Sequence, residues 1–141
     1  MPVDWYDIRA APIDAVETAV AKNDDVFRTQ YVGPSTWANM DYPVAEILPE
    51  ETARTGPNDW EHSIRLNLYF ERDKRTDYAD HILRPVSDVL TDALAELSAL
   101  SCVNNYRPER IEDYAGELDD TLIILVSIEL RVETLIDASD F

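Results

Sequence analysis

Two segments of this chain alternate apolar and polar residues with the period of a β-strand. In WEHSIRLNLYFER, residues 60–72, every second residue from Ile64 to Phe70 is apolar and polar residues lie between them. A similar pattern returns in TLIILVSIELRVETL, residues 121–135. Alternation with a period of two places one set of side chains on each face of a strand. The chain is therefore built around a sheet. The second segment, apolar on both faces at its start, should be a central strand whose far end protrudes.

Weaker patterns predict the remaining elements. Apolar residues at helical spacing predict a helix from Pro12 to about residue 22–27 and a longer one over 77–100, which should kink or restart at Pro85. The proline-bounded segment 42–49 is predicted to be a short or edge strand, followed by a long polar loop at 49–59. A short strand at 110–115 and a turn at 116–120 precede the last strand.

These elements give the order α-β-β-α-β-β. Four mainly antiparallel strands with two helices on one face form a two-layer α+β sandwich. A chain of 141 residues is the size of one domain, here residues 1–141, with a core that needs neither metal nor disulfide. Cys102 is the only cysteine, and it is expected to be a buried small apolar residue.

The net charge of the chain restricts the classes of partner that it can bind. Twelve basic against twenty-nine acidic residues give 12 − 29 = −17. Binding to nucleic-acid phosphates is unfavourable without a basic patch. Because the acids are spread along the chain, they favour a protein of very high salt over one with a cationic partner. No apolar run is long enough for a membrane helix, and no signal peptide is recognisable at the N-terminus.

No motif with recognisable catalytic chemistry emerges. His62 and His81 have no partner at a metal-binding spacing, and a surface or cap position is the expectation for both. The aspartates at 73–80 lack the glycine of a calcium-binding loop, and Asp119-Asp120 is more typical of a hairpin turn than of a metal pair. The sequence predicts no catalytic residue, metal or cofactor.

The polar face of the two strong strands carries both signs of charge. Its residues include Arg65, Asn67, Tyr69, Glu71, Glu129, Arg131 and Glu133. The alternation favours a face that meets a copy of itself, and a solvated face that prevents edge pairing is the alternative. A metal-dependent nuclease could place carboxylates across these strands, for example Glu61, Glu71 and Glu129, although any half-exposed sheet shows such charges.

The order of elements and the length resemble those of tail-terminator (tail-completion) proteins of long-tailed viruses. The phrase YPVAEILP at 42–49 before a long loop, the amphipathic helix 77–100 and the closing hairpin 110–134 with its turn at Gly116 add to the likeness. The resemblance covers most of the chain and rests on pattern, not on an invariant motif. Pro85 and the long segment 31–41 depart from it. The acidic, lysine-poor composition then points to a virus of halophilic archaea.

The resemblance implies a structural role in the virion. Tail terminators form a ring, usually of six copies, on the head-proximal end of the tail tube, where they end tube polymerisation and dock the tail to the head. The implied partners are copies of the chain, the tail tube protein and the connector or neck protein, with DNA only as the genome passing through the channel. Assembly in the host cytoplasm is expected. The family has no catalytic residue to carry over.

A closed ring needs two different surfaces on each subunit. We expect them at a sheet edge and on the helix 77–100, with loops 49–60 and 71–77 contacting the tube or neck. The candidate contact residues are Arg54, Asp59, Arg65, Tyr69, Arg72, Lys74, Arg75, Glu129 and Arg131. The alternatives are another neck or head-completion protein, a small acidic adaptor for a basic partner, and a metal-dependent enzyme.

Overall fold

A computed structural model describes residues 5–27, 29–33, 41–72, 77–118 and 120–136. Two α-helices and a short π-helix accompany five strands. The elements are α1 (Trp5–Ala21), β1 (Thr29–Val32), β2 (Val44–Arg54), β3 (Asp59–Arg72), the π-helix (Ala79–Leu83), α2 (Arg84–Ser98), β4 (Val103–Leu118) and β5 (Thr121–Leu135).

The strands form one mixed sheet in the order β1-β2-β3-β5-β4. β1 runs parallel to β2, and the other neighbours are antiparallel. The α+β class is therefore confirmed, but the expectation of four antiparallel strands is wrong in detail. The missed strand, β1, has four residues, which is too short for a periodic pattern to identify.

The two strongly patterned strands lie at the centre of the sheet. β3 and β5 pair along their full lengths, from Asp59 opposite Leu135 to Arg72 opposite Leu122. The predicted protruding end of β5 is wrong, because Thr134 is paired with β3 on one side and with β4 on the other. The early part of β5 is buried on both faces, as the sequence indicates.

Both helices pack against the same face of this sheet, called here the helix face. Even-numbered residues of β3 and β5, such as Leu66 and Ile128, point to it and join Val16 of α1 and Val89 of α2 in the main core cluster. All four side chains are fully buried. The opposite surface of the sheet is called the far face.

The helix boundaries depart from the expectation at one proline and agree with it at the other. α1 begins at Trp5, seven residues before Pro12, so the predicted start at Pro12 is wrong. Ile8, in the turn before Pro12, is fully buried, and its packing offsets the hydrogen bond that an interior proline removes. At Pro85, where a kink or a restart was expected, the helix changes type, since the π-helix ends at Leu83 and α2 begins at Arg84 with Pro85 in its first turn.

β2 continues through Pro49, where a loop was expected. The pairing with β3 shifts by one residue between Pro49 and Glu51, and this bulge accommodates the missing proline N–H. The predicted loop 49–59 therefore shrinks to residues 55–58. β1 pairs with β2 up to Ile47, so the first half of β2 is not an edge.

β4 is much longer than the predicted strand at 110–115. It covers sixteen residues, and Gly116 lies within it, opposite Ile123, so the turn predicted at Gly116 is wrong. Leu118 pairs with Thr121, which leaves two residues for the turn, and Asp120 has a φ of 65°. Aspartate tolerates this left-handed conformation, and two-residue hairpin turns require it. Cys102, just before β4, is half-buried.

Candidate interface surfaces

The sheet ends in two unlike edge strands. β1 has four residues and is joined to the sheet by parallel pairing, whereas β4 has sixteen and is joined by antiparallel pairing. In the described part of the chain, each has a strand neighbour on one side only. An unpaired strand edge is a template for another strand. The subunit thus carries two different surfaces suited to strand addition.

Exposed apolar side chains are concentrated on these two edges. Among the described residues, seven large hydrophobic side chains are exposed, and five of them lie on β1 or β4. These five are Tyr31 and Val32 on β1, and Tyr106, Ile111 and Tyr114 on β4. Clustered exposed apolar surface is typical of protein contacts.

The two halves of β4 differ as edges. Its first half contains Pro108 and two register shifts, one between Val103 and Asn105 and one between Pro108 and Arg110. Proline and bulges are features that discourage edge pairing. From Ile111 to Leu118 the strand pairs with β5 without interruption. The second half is therefore the regular edge to which another strand could add.

A groove lies beside β1. It has a volume of about 490 Å³ and is lined by residues of α1 and of the sheet edge, where Arg9 donates to the main-chain oxygen of Pro49 at 3.4 Å. Its lining residues are Arg9, Ala10, Ile13, Asp14, Glu17, Val32 and Pro49. β1 ends at Val32, opposite Ile47, so it does not cover Pro49 of β2. This edge groove has an apolar floor, and exposed acidic side chains of α1 form part of its rim.

The far face carries a charge network, in which acidic and basic side chains of the same subunit form ion pairs. Its members are Glu50, Glu61, Arg65, Glu129 and Arg131. Glu129 joins the two arginines, lying 3.5 Å from the Arg131 guanidinium and 4.0 Å from that of Arg65. Glu50 binds Arg65, and Glu61 binds Arg131. Three of the predicted contact residues, Arg65, Glu129 and Arg131, are thus brought together, and each already has an ion-pair partner in its own subunit.

Tyr69 is buried on the far face. Its side chain is 3% exposed, and its hydroxyl donates to Glu46 at 3.1 Å. Asn67 donates to the same carboxylate oxygen at 3.0 Å. Burial, followed by the charge of Glu46, raises the pKa of Tyr69 well above its usual range. In the isolated subunit Tyr69 therefore lies beneath the surface proposed for it from sequence.

Arg54 and Asp59 hold the loop between β2 and β3. Arg54 donates to the carbonyl oxygens of Gly56 and Pro57, at 3.2 and 2.5 Å, and its guanidinium lies 5.8 Å from the centre of the Trp60 ring. The main-chain carbonyl of Asp59 accepts from the Thr55 amide at 2.9 Å. Arg54 is exposed beyond these contacts and so remains available to a partner.

The last predicted contacts lie at the other end of β3. The Arg72 guanidinium lies 4.9 Å from the centre of the Tyr78 ring, and the Tyr78 hydroxyl donates to Asp113 of β4 at 3.3 Å. Arg72 therefore connects β3 to the π-helix. Lys74 and Arg75 lie outside the described residues, as does most of the predicted contact loop 71–77.

His62 is buried, so the surface or cap position predicted for it is wrong. Its side chain is 2% exposed, with Nδ1 at 3.0 Å from the hydroxyl of Thr52 and Nε2 at 2.9 Å from that of Thr134. Burial, followed by the positive charge of Arg9, lowers the pKa of His62 to about 4. His81 is exposed on the π-helix, as expected.

The three carboxylates considered for a metal do not form one cluster, although Glu61 and Glu129 both pair with Arg131. Glu61 and Glu129 bind arginines, and Glu71 is exposed at the end of β3. The described residues include no group of three or more histidine, cysteine or acidic side chains positioned to hold a metal ion.

Among the helices described, none combines the length and apolar character needed to cross a membrane. No protein-family model matches the chain, and no curated protein is similar to it in sequence.

Sequence reasoning missed the exposed apolar residues of the edges. Ile111 and Tyr114 stand among charged residues in ERIEDYAGEL, where alternation with charge could have indicated a strand exposed on both faces. The segment TQYV of β1 is rich in strand-forming residues but too short to stand out. The other surface expected to make contacts was the helix 77–100. Within its described residues it exposes one large apolar side chain, Leu83 of the π-helix, and α2 exposes none.

The charge network predicts a loss of stability when its centre is removed. The Glu129 side chain is 18% exposed, so Glu129→Ala leaves two half-buried guanidinium groups without their shared acceptor. Because each arginine keeps its other carboxylate, Glu50 or Glu61, we expect the free energy of unfolding to fall by about 1 kcal/mol in urea denaturation. The matched control is Glu133→Ala, on the same face, where no ion pair to a described residue is lost. Equal losses in both variants would argue against the network as the cause.

Proposed function

We propose that this chain is a ring-forming structural protein of a long-tailed virus, namely a tail terminator at the head-proximal end of the tail tube. The observation that supports it best is the pair of unlike open edges, each with exposed apolar side chains. Two unlike surfaces on one subunit associate head to tail, and such contacts close into a ring when the rotation between copies is suitable.

The charge is compatible with this role. With a net charge of −17, a ring of several copies would repel the phosphates of a genome in its channel and let it pass without binding. The same charge favours solubility in the concentrated salt of a halophilic host. The exposed acidic side chains of α1 and α2, including Asp14, Glu17 and Asp88, would contribute to this negatively charged surface.

Another neck or head-completion protein of the same virus class is the nearest alternative. It would also form a ring through two different surfaces on each subunit, but it would bind the connector and leave tube elongation unaffected. A small acidic adaptor would remain a monomer and would lose its basic partner in high salt. A metal-dependent enzyme would bind divalent ions and cleave nucleic acid.

Light scattering with tail tubes tests the proposal. In about 2 M salt, where surface charges are screened, we expect the 16.1 kDa chain to form a closed ring, alone or on tube ends. Added to growing tubes, it should stop their elongation and occupy one end in electron micrographs. A monomer that ignores tubes at both high and low salt would contradict the proposal. A ring that leaves tube growth unchanged would favour the other neck proteins.

A further inference from the structure

We propose that β4 of one subunit docks antiparallel beside β1 of the next subunit, so that a single sheet continues from copy to copy. This inference deepens the proposed function and rests on it, because it assumes that the partner of both edges is a second copy of this chain. The proposed register places Ile111 of one copy opposite Val32 of the next. Three independent features of the described residues support it: strand direction, matching faces and charge.

Strand direction is the first feature. β1 and β2 run the same way, β3 runs opposite to them, β5 runs with β2, and β4 again runs opposite. β1 and β4 of one subunit are therefore antiparallel to each other. A rotation about an axis along the strands moves one copy to the next position without reversing any strand. β4 then meets the neighbouring β1 as an antiparallel partner, and the helices stay on one side of the continuous sheet.

The faces of the exposed apolar side chains also match. Val32 is paired with Ile47, and Ile111 is paired with Ile128, so both point to the helix face. With Ile111 opposite Val32, Tyr114 stands opposite Thr29 on the far face. It is then diagonal to Tyr31, at a distance that aromatic side chains can reach.

The exposure of these side chains shows what the contact would cover. Val32 is 52% exposed, Ile111 is 51% exposed and Tyr114 is 51% exposed. Ile111 would lie over the end of β1, at the mouth of the edge groove, where Ile13 and Pro49 provide an apolar floor. Docking would therefore bury apolar surface on both partners, and this burial favours association.

Charge complementarity is the third feature. In the same register, the part of β4 before Ile111 continues past the end of β1 and along the part of β2 that no other described strand covers on this side. Arg107 and Arg110, with side chains 45% and 66% exposed, are on the far face of β4, and each already has a glutamate of its own strand as an ion-pair partner. Glu51 and Glu50, which also binds Arg65, are exposed on that part of β2. The contact would thus bring two arginines of one copy near two glutamates of the next.

Pairing of β4 with another β4 is the competing arrangement. It would leave β1 and the edge groove uncovered. It would also bring together the acidic side chains of the regular half of β4, which are Glu112, Asp113 and Glu117. Like charges on adjacent strands are unfavourable. The unlike edges are therefore the better partners.

Cysteine pairing between copies tests the register. In a Cys102→Ser background, which has no native thiol, V32C and I111C proteins are mixed and mildly oxidised. Opposite residues on antiparallel strands have β-carbons about 5 Å apart, close to the span of a disulfide. We expect a covalent dimer, at twice 16.1 kDa, from the mixture only. V32C mixed with S87C, whose cysteine lies on the exposed side of α2, is the matched control.

Each other result has a defined meaning. A disulfide formed by I111C alone would overturn the inference in favour of β4–β4 pairing. A wild-type ring without the V32C–I111C disulfide, or with equal cross-linking in the S87C control, would overturn the inference and leave the proposed function standing. A wild-type chain that stays a monomer and does not bind tubes, together with no disulfide from the V32C and I111C mixture, would overturn both.

Discussion

Mixing Val32→Asp subunits with Ile111→Asp subunits is expected to give dimers, under conditions where the wild-type chain forms a ring. Each variant alone is expected to stay a monomer, because an aspartate in the apolar contact would be buried without a partner. In the mixture, the intact β4 edge of V32D docks on the intact β1 edge of I111D. The dimer cannot extend, since its two outer edges both carry the substitution.

Sedimentation velocity or light scattering distinguishes these states by mass. The dimer has twice the 16.1 kDa mass of the chain. Leu83→Asp is the matched control, because Leu83 is 49% exposed but lies on the π-helix and in neither edge strand. This control should assemble as the wild type does. Rings formed by either edge variant alone would contradict the prediction, and circular dichroism verifies that all three variants are folded.

Acidification between pH 6.5 and pH 4 is expected to lower the free energy of unfolding through His62. The unfolded chain binds a proton at His62 below its usual pKa of 6.5, whereas the folded chain does so only near 4. The unfolded state therefore binds more protons in this interval, and stability falls as the pH falls. A shift from 6.5 to about 4 corresponds to about 3 kcal/mol, fully present above pH 6.5 and lost as the pH falls to 4.

Urea denaturation at a series of pH values measures this loss. Because carboxylates also titrate at the acidic end, the informative quantity is the difference between wild type and His62→Gln. The variant should be less stable at pH 7.5, where it loses fitted contacts with Thr52 and Thr134, and should show a shallower fall towards pH 5. His81→Gln changes the exposed histidine and should keep the wild-type slope. Parallel curves for wild type and His62→Gln would rule out His62 as the source.

Local sequence patterns predicted the elements in which apolar and polar residues recur with a regular period over many residues. β3 and β5 were identified because the period of two persists through each strand, and α2 because its apolar stripe spans several turns. An irregularity of the helix near Pro85 was expected from the proline ring alone, and the change from π-helix to α2 lies there. β1 was missed, and β4 was predicted too short, because an edge exposed on both faces needs no apolar alternation.

The sequence by itself determined a central pair of amphipathic strands, a long amphipathic helix, the α+β class and a strongly acidic surface. These follow from periodicity and composition, which are properties of neighbouring residues. Only the tertiary structure decided that Glu129 pairs with both Arg65 and Arg131, and that His62 and Tyr69 are buried. It alone left Val32 and Ile111 exposed on opposite edges. Burial and pairing depend on which distant segments of the chain are neighbours in the fold. The strand order decides this, and no local sequence pattern specifies the strand order.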